Sequence, residues 1–164
     1  MSTLRENLKL LREFFNDCEF SDLVDMHLIS IALVSESGSD FYSEVPFDEF
    51  TCNSFVTETV ISLLARSGNS LCASTEDLQS RLDFWLSQFE GKITIFYDYF
   101  GDIALFMELF SNQLPVHIDC INIRGKIKKT KHEEYFNKSD EQKQHALSDA
   151  RANKYSYEPN AYFS

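Results

Sequence analysis

The chain has 164 residues, of which 43% are hydrophobic and 25% charged, with 5 glycines and 3 prolines. That is enough for one domain with a sizeable core, and it excludes a collagen-like repeat, a linker or a long disordered tract. Lys and Arg number 15 against 26 Asp and Glu, a net charge of -11, and a field of that sign argues against strong nonspecific binding to duplex DNA or to an anionic membrane.

In chain order, residues 1–12 read as a short helix-like or extended lead. Residues 13–20 (EFFNDCEF) are aromatic-rich and predict a strand. Residues 27–34 (HLISIALV) are nearly continuously apolar, the pattern of a strand covered on both faces. Turn chemistry at 36–39 leads into 40–45 (DFYSEV), a hairpin partner ended by Pro46. Phe55, Val56, Thr59, Val60, Leu63 and Leu64 recur at helical spacing, and Gly68 breaks the run. Ser74 reads as an N-cap with Asp77 three positions on, followed by the stripe Leu78, Leu82, Trp85, Leu86 and Phe89, which Gly91 closes. Residues 92–97 (KITIFY) predict a strand. A helix carrying Ile103, Phe106, Leu109 and Phe110 follows Gly101 and Asp102, then a strand over 115–123 (PVHIDCINI). Residues 125–132 are basic, with Lys126, Lys128, Lys129 and Lys131, and a last helix is expected from about 139 to 155. The order implies a layered α/β domain with a mixed sheet, one domain over 1–164 with its core at about 13–157.

No apolar run approaches the roughly 18 residues of a membrane span. The opening MSTLRENLKLLREFF has no apolar h-region, so a cytoplasmic protein is expected. Cys18, Cys52, Cys72 and Cys120 are scattered without a CxxC pair, which predicts reduced thiols rather than disulfides or structural zinc.

Three patterns carry chemistry. Asp17 and Glu19 are i and i+2 on a strand and project from one face; without a site they are a solvated strand end. Asp98 and Asp102 follow the KITIFY strand, where open α/β sheets bind ligands; Asp102 alternatively serves only as a helix N-cap. His145 and Asp149 are i and i+4 on the last helix, and otherwise form a surface pair. Carboxylates without clustered cysteines favour Mg²⁺ or Mn²⁺ over zinc. Phe20 is a candidate for base stacking, and Lys128, Lys129 and Arg151 are candidates for phosphate contacts.

Asp17-Cys18-Glu19-Phe20, Leu28-Ile29-Ser30-Ile31-Ala32, Gly38-Ser39-Asp40-Phe41-Tyr42 and His145-Ala146-Leu147-Ser148-Asp149-Ala150-Arg151-Ala152-Asn153 together resemble the DEDDh 3′-5′ exonuclease superfamily, in particular its small bacterial- and mycobacterial-type exoribonuclease domains. The likeness spans residues 14–157, with Ala32 where those domains usually have Gly. It implies a ribonuclease H-like fold with a mixed sheet of about five strands flanked by helices. It also implies two divalent cations, Mg²⁺ or Mn²⁺, held by Asp17, Glu19, Asp102 and Asp149, with Asp98 as competitor for the third place and His145 as general base. The implied activity is removal of nucleoside 5′-monophosphates from RNA 3′ ends, on single strands or short 3′ overhangs. DNA as substrate, or a noncatalytic protein-binding module, are the alternatives. A homodimer is compatible with the aromatic surplus.

Overall fold

A computed structural model describes residues 11–66 and 68–163. The expected lead over 1–12 lies outside that range except for its last two residues, which belong to the first strand. The strands are β1 (Leu11–Phe20), β2 (Leu28–Ser35), β3 (Asp40–Glu44), β4 (Lys92–Tyr97) and β5 (Ile118–Asn122). They form one sheet in the order β3-β2-β1-β4-β5. The first three are antiparallel neighbours, while β4 runs parallel to β1 and β5 parallel to β4. Among the described residues four α-helices flank the sheet: α1 (Thr75–Leu86), α2 (Phe100–Glu108), α3 (Lys129–Lys138) and α4 (Ala146–Ser156). The fold is α/β with a mixed five-stranded sheet, consistent with a ribonuclease H-like arrangement.

The unbroken apolar run of β2 has a direct cause, because both of its faces are covered. Ile31 and Leu33 join Phe14, Ile93 and Ile95 under Leu78 and Leu82 of α1 and Phe106 of α2. Ala32 and Val34 face the other way, against Ala146 and Ala150 of α4. Each large side chain so buried stabilises the fold by roughly 1.5–3 kcal/mol. The start of α1 is fixed by a reciprocal cap: Ser74 accepts the Asp77 amide at 3.2 Å and the Asp77 carboxylate accepts the Ala73 amide at 2.8 Å. Gly91, at φ +96°, makes the left-handed turn from α1 into β4 that a residue with a Cβ adopts only under strain.

Alanines let α4 lie close to β2, since Ala32, Ala146 and Ala150 are all fully buried. This closeness brings Asp149, one residue before Ala150, to the sheet. Ala150→Leu should therefore cost about 1–3 kcal/mol through overpacking. A thermal melt should register that as a Tm lowered by roughly 2–12 °C.

The structure departs from the sequence reading in four places. Residues 54–63 are helical but not a regular α-helix: a short start widens into a π turn over Val56–Val60 and tightens into a 3-10 turn over Ile61–Leu63. Beyond it, the buried Glu44 carboxylate accepts the amides of Ala65 at 2.7 Å and Arg66 at 2.8 Å, with the Tyr42 hydroxyl at 2.7 Å. The strand expected over 115–123 is shortened to β5. The basic segment, to which the sequence reading assigned no element, runs through a 3-10 turn (Arg124–Lys126) into α3. The last helix begins at Ala146 rather than near 139. Gln144 has φ +66° and His145 is extended, so α4 cannot continue back through those residues. Among the described residues no helix is long and apolar enough to cross a membrane. All four cysteines are free.

Candidate metal centre

β1 and β4 are parallel neighbours with Phe15 paired to Phe96, so their carboxyl ends leave the sheet side by side. Two residues farther along, each bears an acid, Asp17 on β1 and Asp98 just past β4. Alternation puts Asp17 and Glu19 on the face of Phe15, which is the side that Tyr157, just beyond α4, also covers. Asp102 comes from the first turn of α2 and is 3% exposed. Its Oδ1 accepts the Cys18 amide at 3.1 Å, and the Asn16 side-chain amide donates to its carbonyl at 3.3 Å, tying α2 to β1. Asp149 lies in the first turn of α4 and accepts the Gln144 amide at 2.9 Å. Asp98 accepts from Asn153 Nδ2 at 3.0 Å.

These elements bring five carboxylates together in two overlapping groups. Oxygens of Asp17, Asp98 and Asp102 lie within 4.8 Å of one another, and so do those of Asp17, Glu19 and Asp149. Asp17 belongs to both. Asp98 and Asp102, the two competitors for the third place, both stand beside Asp17.

Burial and mutual repulsion set the electrostatics. Burial pushes Asp17 well above the usual carboxylate range, and the charges of Asp102, Asp149, Glu19 and Asp98 push it further. Burial, with Asp149 and Asp102 nearby, raises Glu19 to about 9. Burial raises Asp149 to about 7 against the lowering effect of the Gln144 amide. Asp102 is raised by burial and by Asp98, although the Cys18 amide opposes this. Close carboxylates that must hold protons lack positive charge, and their all-oxygen donor set suits a hard divalent cation such as Mg²⁺ or Mn²⁺. The residues fit the cations that the sequence implies.

A stability prediction follows from the same shifts. Between the ordinary Glu value of 4.5 and about 9, the folded protein keeps a proton that the unfolded chain has released. Unfolding free energy therefore falls as pH rises through that window. In chelator the Tm should be lower at pH 9 than at pH 5, and Glu19→Gln should flatten the slope. At alkaline pH, Mg²⁺ or Mn²⁺ at about a hundred times its Kd should restore about 2.7 kcal/mol, or roughly 5–11 °C. Differential scanning calorimetry with and without metal checks this.

The other expected site residues divide. Phe20 borders the acidic pocket and stacks on Tyr99, with ring centroids 6.0 Å apart. His145 is not brought to the acids: its ring stacks on Tyr42 at 4.7 Å, and the charges acting on it are Glu44, Glu141 and Arg151. The i, i+4 argument fails because His145 caps α4 in an extended conformation instead of sitting on its helical face. Arg151 is held by Asp40 at 2.6 Å and by Glu141. Lys128 Nζ is 3.8 Å from Glu158, whose carboxylate also takes Lys131 at 2.9 Å. Lys129 makes no ion pair among the described residues and lines a hollow that Asp98 and Glu133 also border. Sequence reasoning missed His132, Lys143, Gln144 and Asn153, which line the acidic pocket. Asn153 was legible as the end of the DARAN motif, but His132 was hidden in a segment read only as basic. Burial lowers the His132 pKa from its ordinary value, with Asp98 opposing that and Lys143 adding to it. No protein-family model matches this chain, and no curated protein matches it either.

Proposed function

We propose that the chain is a metal-dependent 3′-5′ exoribonuclease that works in the cytoplasm on single-stranded RNA or short 3′ overhangs and releases nucleoside 5′-monophosphates. The observation that carries this reading is the place of Asp17 in two carboxylate groups at once, the donor arrangement of a two-cation phosphodiesterase centre. Asp17, Asp98 and Asp102 would hold one cation, and Asp17, Glu19 and Asp149 the other. Such a pair, when bound, supplies a water acidified to near neutral pH and positive charge against the dividing phosphodiester.

The protein's own contribution is to position and to move a proton. Three of the five acids are held by amides: Asp98 by Asn153, Asp102 by Cys18 and Asp149 by Gln144. Their geometry is set before substrate binds, which lowers the entropy cost of reaching the reactive arrangement. Beyond Glu19, Phe20 and Gln144 the acidic pocket opens into an apolar one of about 270 Å³ walled by Leu23, Phe55 and Val56. It suits one nucleoside, with Phe20 offering a stacking face, and a pocket for one nucleoside beside the acids supports attack at a chain end. His132 is the imidazole bordering the acids, and in this reading it accepts the proton of the attacking water in place of His145.

The test is incubation of end-labelled RNA and DNA oligonucleotides with Mg²⁺, Mn²⁺ or chelator, resolved for stepwise shortening. Metal-dependent loss of single nucleotides from RNA 3′ ends supports the proposal. Shortening of DNA alone transfers the activity to DNA, and no shortening of either rejects it.

A further inference from the structure

The acidic pocket does not end at Asp98. His132, Asn153 and Asp98 also line a second hollow, together with Glu133, Arg124, Ile127 and Lys129. Arg124, Ile127 and Lys129 in turn line a groove of about 580 Å³, together with Lys126 and Tyr162. The three spaces follow one another, each sharing wall residues with the next. Its outer part is lined by three cations and, among the described residues, by no acid, in a chain of net charge -11. Arg124 and Lys129 are exposed and make no ion pair among the described residues. The neighbouring Lys128 and Lys131 are by contrast turned toward Glu158. Arg124 lies near enough to Asp98 to act on its charge. The exposed Tyr162 lies across Gly125, where a Cβ would meet its ring at 2.7 Å. At the junction stands Asn153, 3% exposed, whose Oδ1 has no hydrogen-bond partner.

We infer that this path is a track for the sugar–phosphate backbone on the 5′ side of the scissile bond, with Arg124 and Lys129 as its phosphate contacts and Tyr162 as a stacking face. The inference rests on the exonuclease reading for its direction. With the terminal nucleoside in the apolar pocket past Glu19, the rest of the strand leaves on the opposite side of the acids, toward Arg124. Cations spaced along a groove, with an aromatic face beside them, are what a single strand needs for sequence-tolerant binding. The track also bears on how an acidic protein holds a polyanion: its outer groove carries Arg124, Lys126 and Lys129 and, among the described residues, no acid, while Glu133 and Asp98 border the hollow nearer the acids.

The experiment is fluorescence anisotropy of a 5′-labelled RNA heptanucleotide and dinucleotide on the full chain, with Ca²⁺ as the metal so that binding is read without turnover, across a salt series. For the double variant Arg124→Ala, Lys129→Ala, heptanucleotide affinity should fall about tenfold at low salt. The slope of log K against log salt should flatten by about 1.4, or 0.7 for each lost phosphate contact on a single strand. Dinucleotide affinity should stay within about twofold, and Lys128→Ala should leave both ligands unchanged. An unchanged slope in the double variant, or an equal loss in Lys128→Ala, overturns the track. If the heptanucleotide binds with the expected slopes but neither RNA nor DNA is shortened in Mn²⁺, the exonuclease reading fails while the nucleic-acid groove stands. If the wild-type chain binds neither ligand, both fall.

Discussion

Asp17→Asn should lower Mn²⁺-dependent release of mononucleotides on the order of 10³-fold or more, with the fold intact. The reason is geometric, since loss of one charged oxygen ligand at Asp17 depletes both carboxylate groups. Glu19→Gln depletes only the group with Asp149, and Asp98→Asn only the group with Asp102, so each should retain more activity than Asp17→Asn at saturating metal. Stability should move the other way. Asp17 is a carboxyl that burial and four acidic neighbours hold far above its ordinary pKa, so a neutral amide of the same shape removes the cost of keeping it protonated where the unfolded chain would ionise it. In chelator the variant should melt at or above the wild-type temperature. A rate within tenfold of wild type for Asp17→Asn, alongside loss in Asp98→Asn, would show that Asp17 is not the shared ligand.

Much of this arrangement was legible in the sequence because it depends on local periodicity. Strand alternation aligned Asp17 with Glu19, and the apolar run of β2 announced a strand covered on both faces, as Ile31 and Ala32 demonstrate by facing opposite helices. Ser74 and Asp77 announced the start of α1. Asp98 and Asp102 were both visible at the end of a strand, but not that both would come within reach of Asp17. A carboxylate after β4 and one in the first turn of α2 reach Asp17 from two directions. What stayed hidden lacked an apolar signature. The helix Lys129–Lys138 reads KTKHEEYFNK, with no hydrophobic stripe. It is held by a Glu134–Lys138 ion pair and by Tyr135 packed 5.7 Å from Tyr155 of α4. Pattern reading passes over such a helix, and His132 goes with it. His145 misled for a related reason. Its spacing from Asp149 has meaning only if both residues are helical, and the positive φ of Gln144 starts the helix one residue too late.

His132→Ala should therefore lower kcat by about 10²–10⁴-fold, the usual contribution of a positioned general base, whereas His145→Ala should leave kcat within a fewfold. The pH profile separates the two further. A base must be neutral to accept a proton, and burial moves the His132 pKa below 6.5. The rising acid limb of kcat/KM should then lie below pH 6.5 in the wild type and in His145→Ala, and vanish in His132→Ala. His145→Ala should instead register as a loss of stability of about 0.5–1.5 kcal/mol, because its ring packs on Tyr42. That loss should be matched by Tyr42→Leu and should not add fully in the double variant, since both remove one contact. Loss of turnover in His145→Ala with an intact melting curve, alongside full turnover in His132→Ala, would reverse the assignment. It would then require α4 to begin one residue earlier in the substrate complex, turning the His145 ring off Tyr42 and onto the face of Asp149.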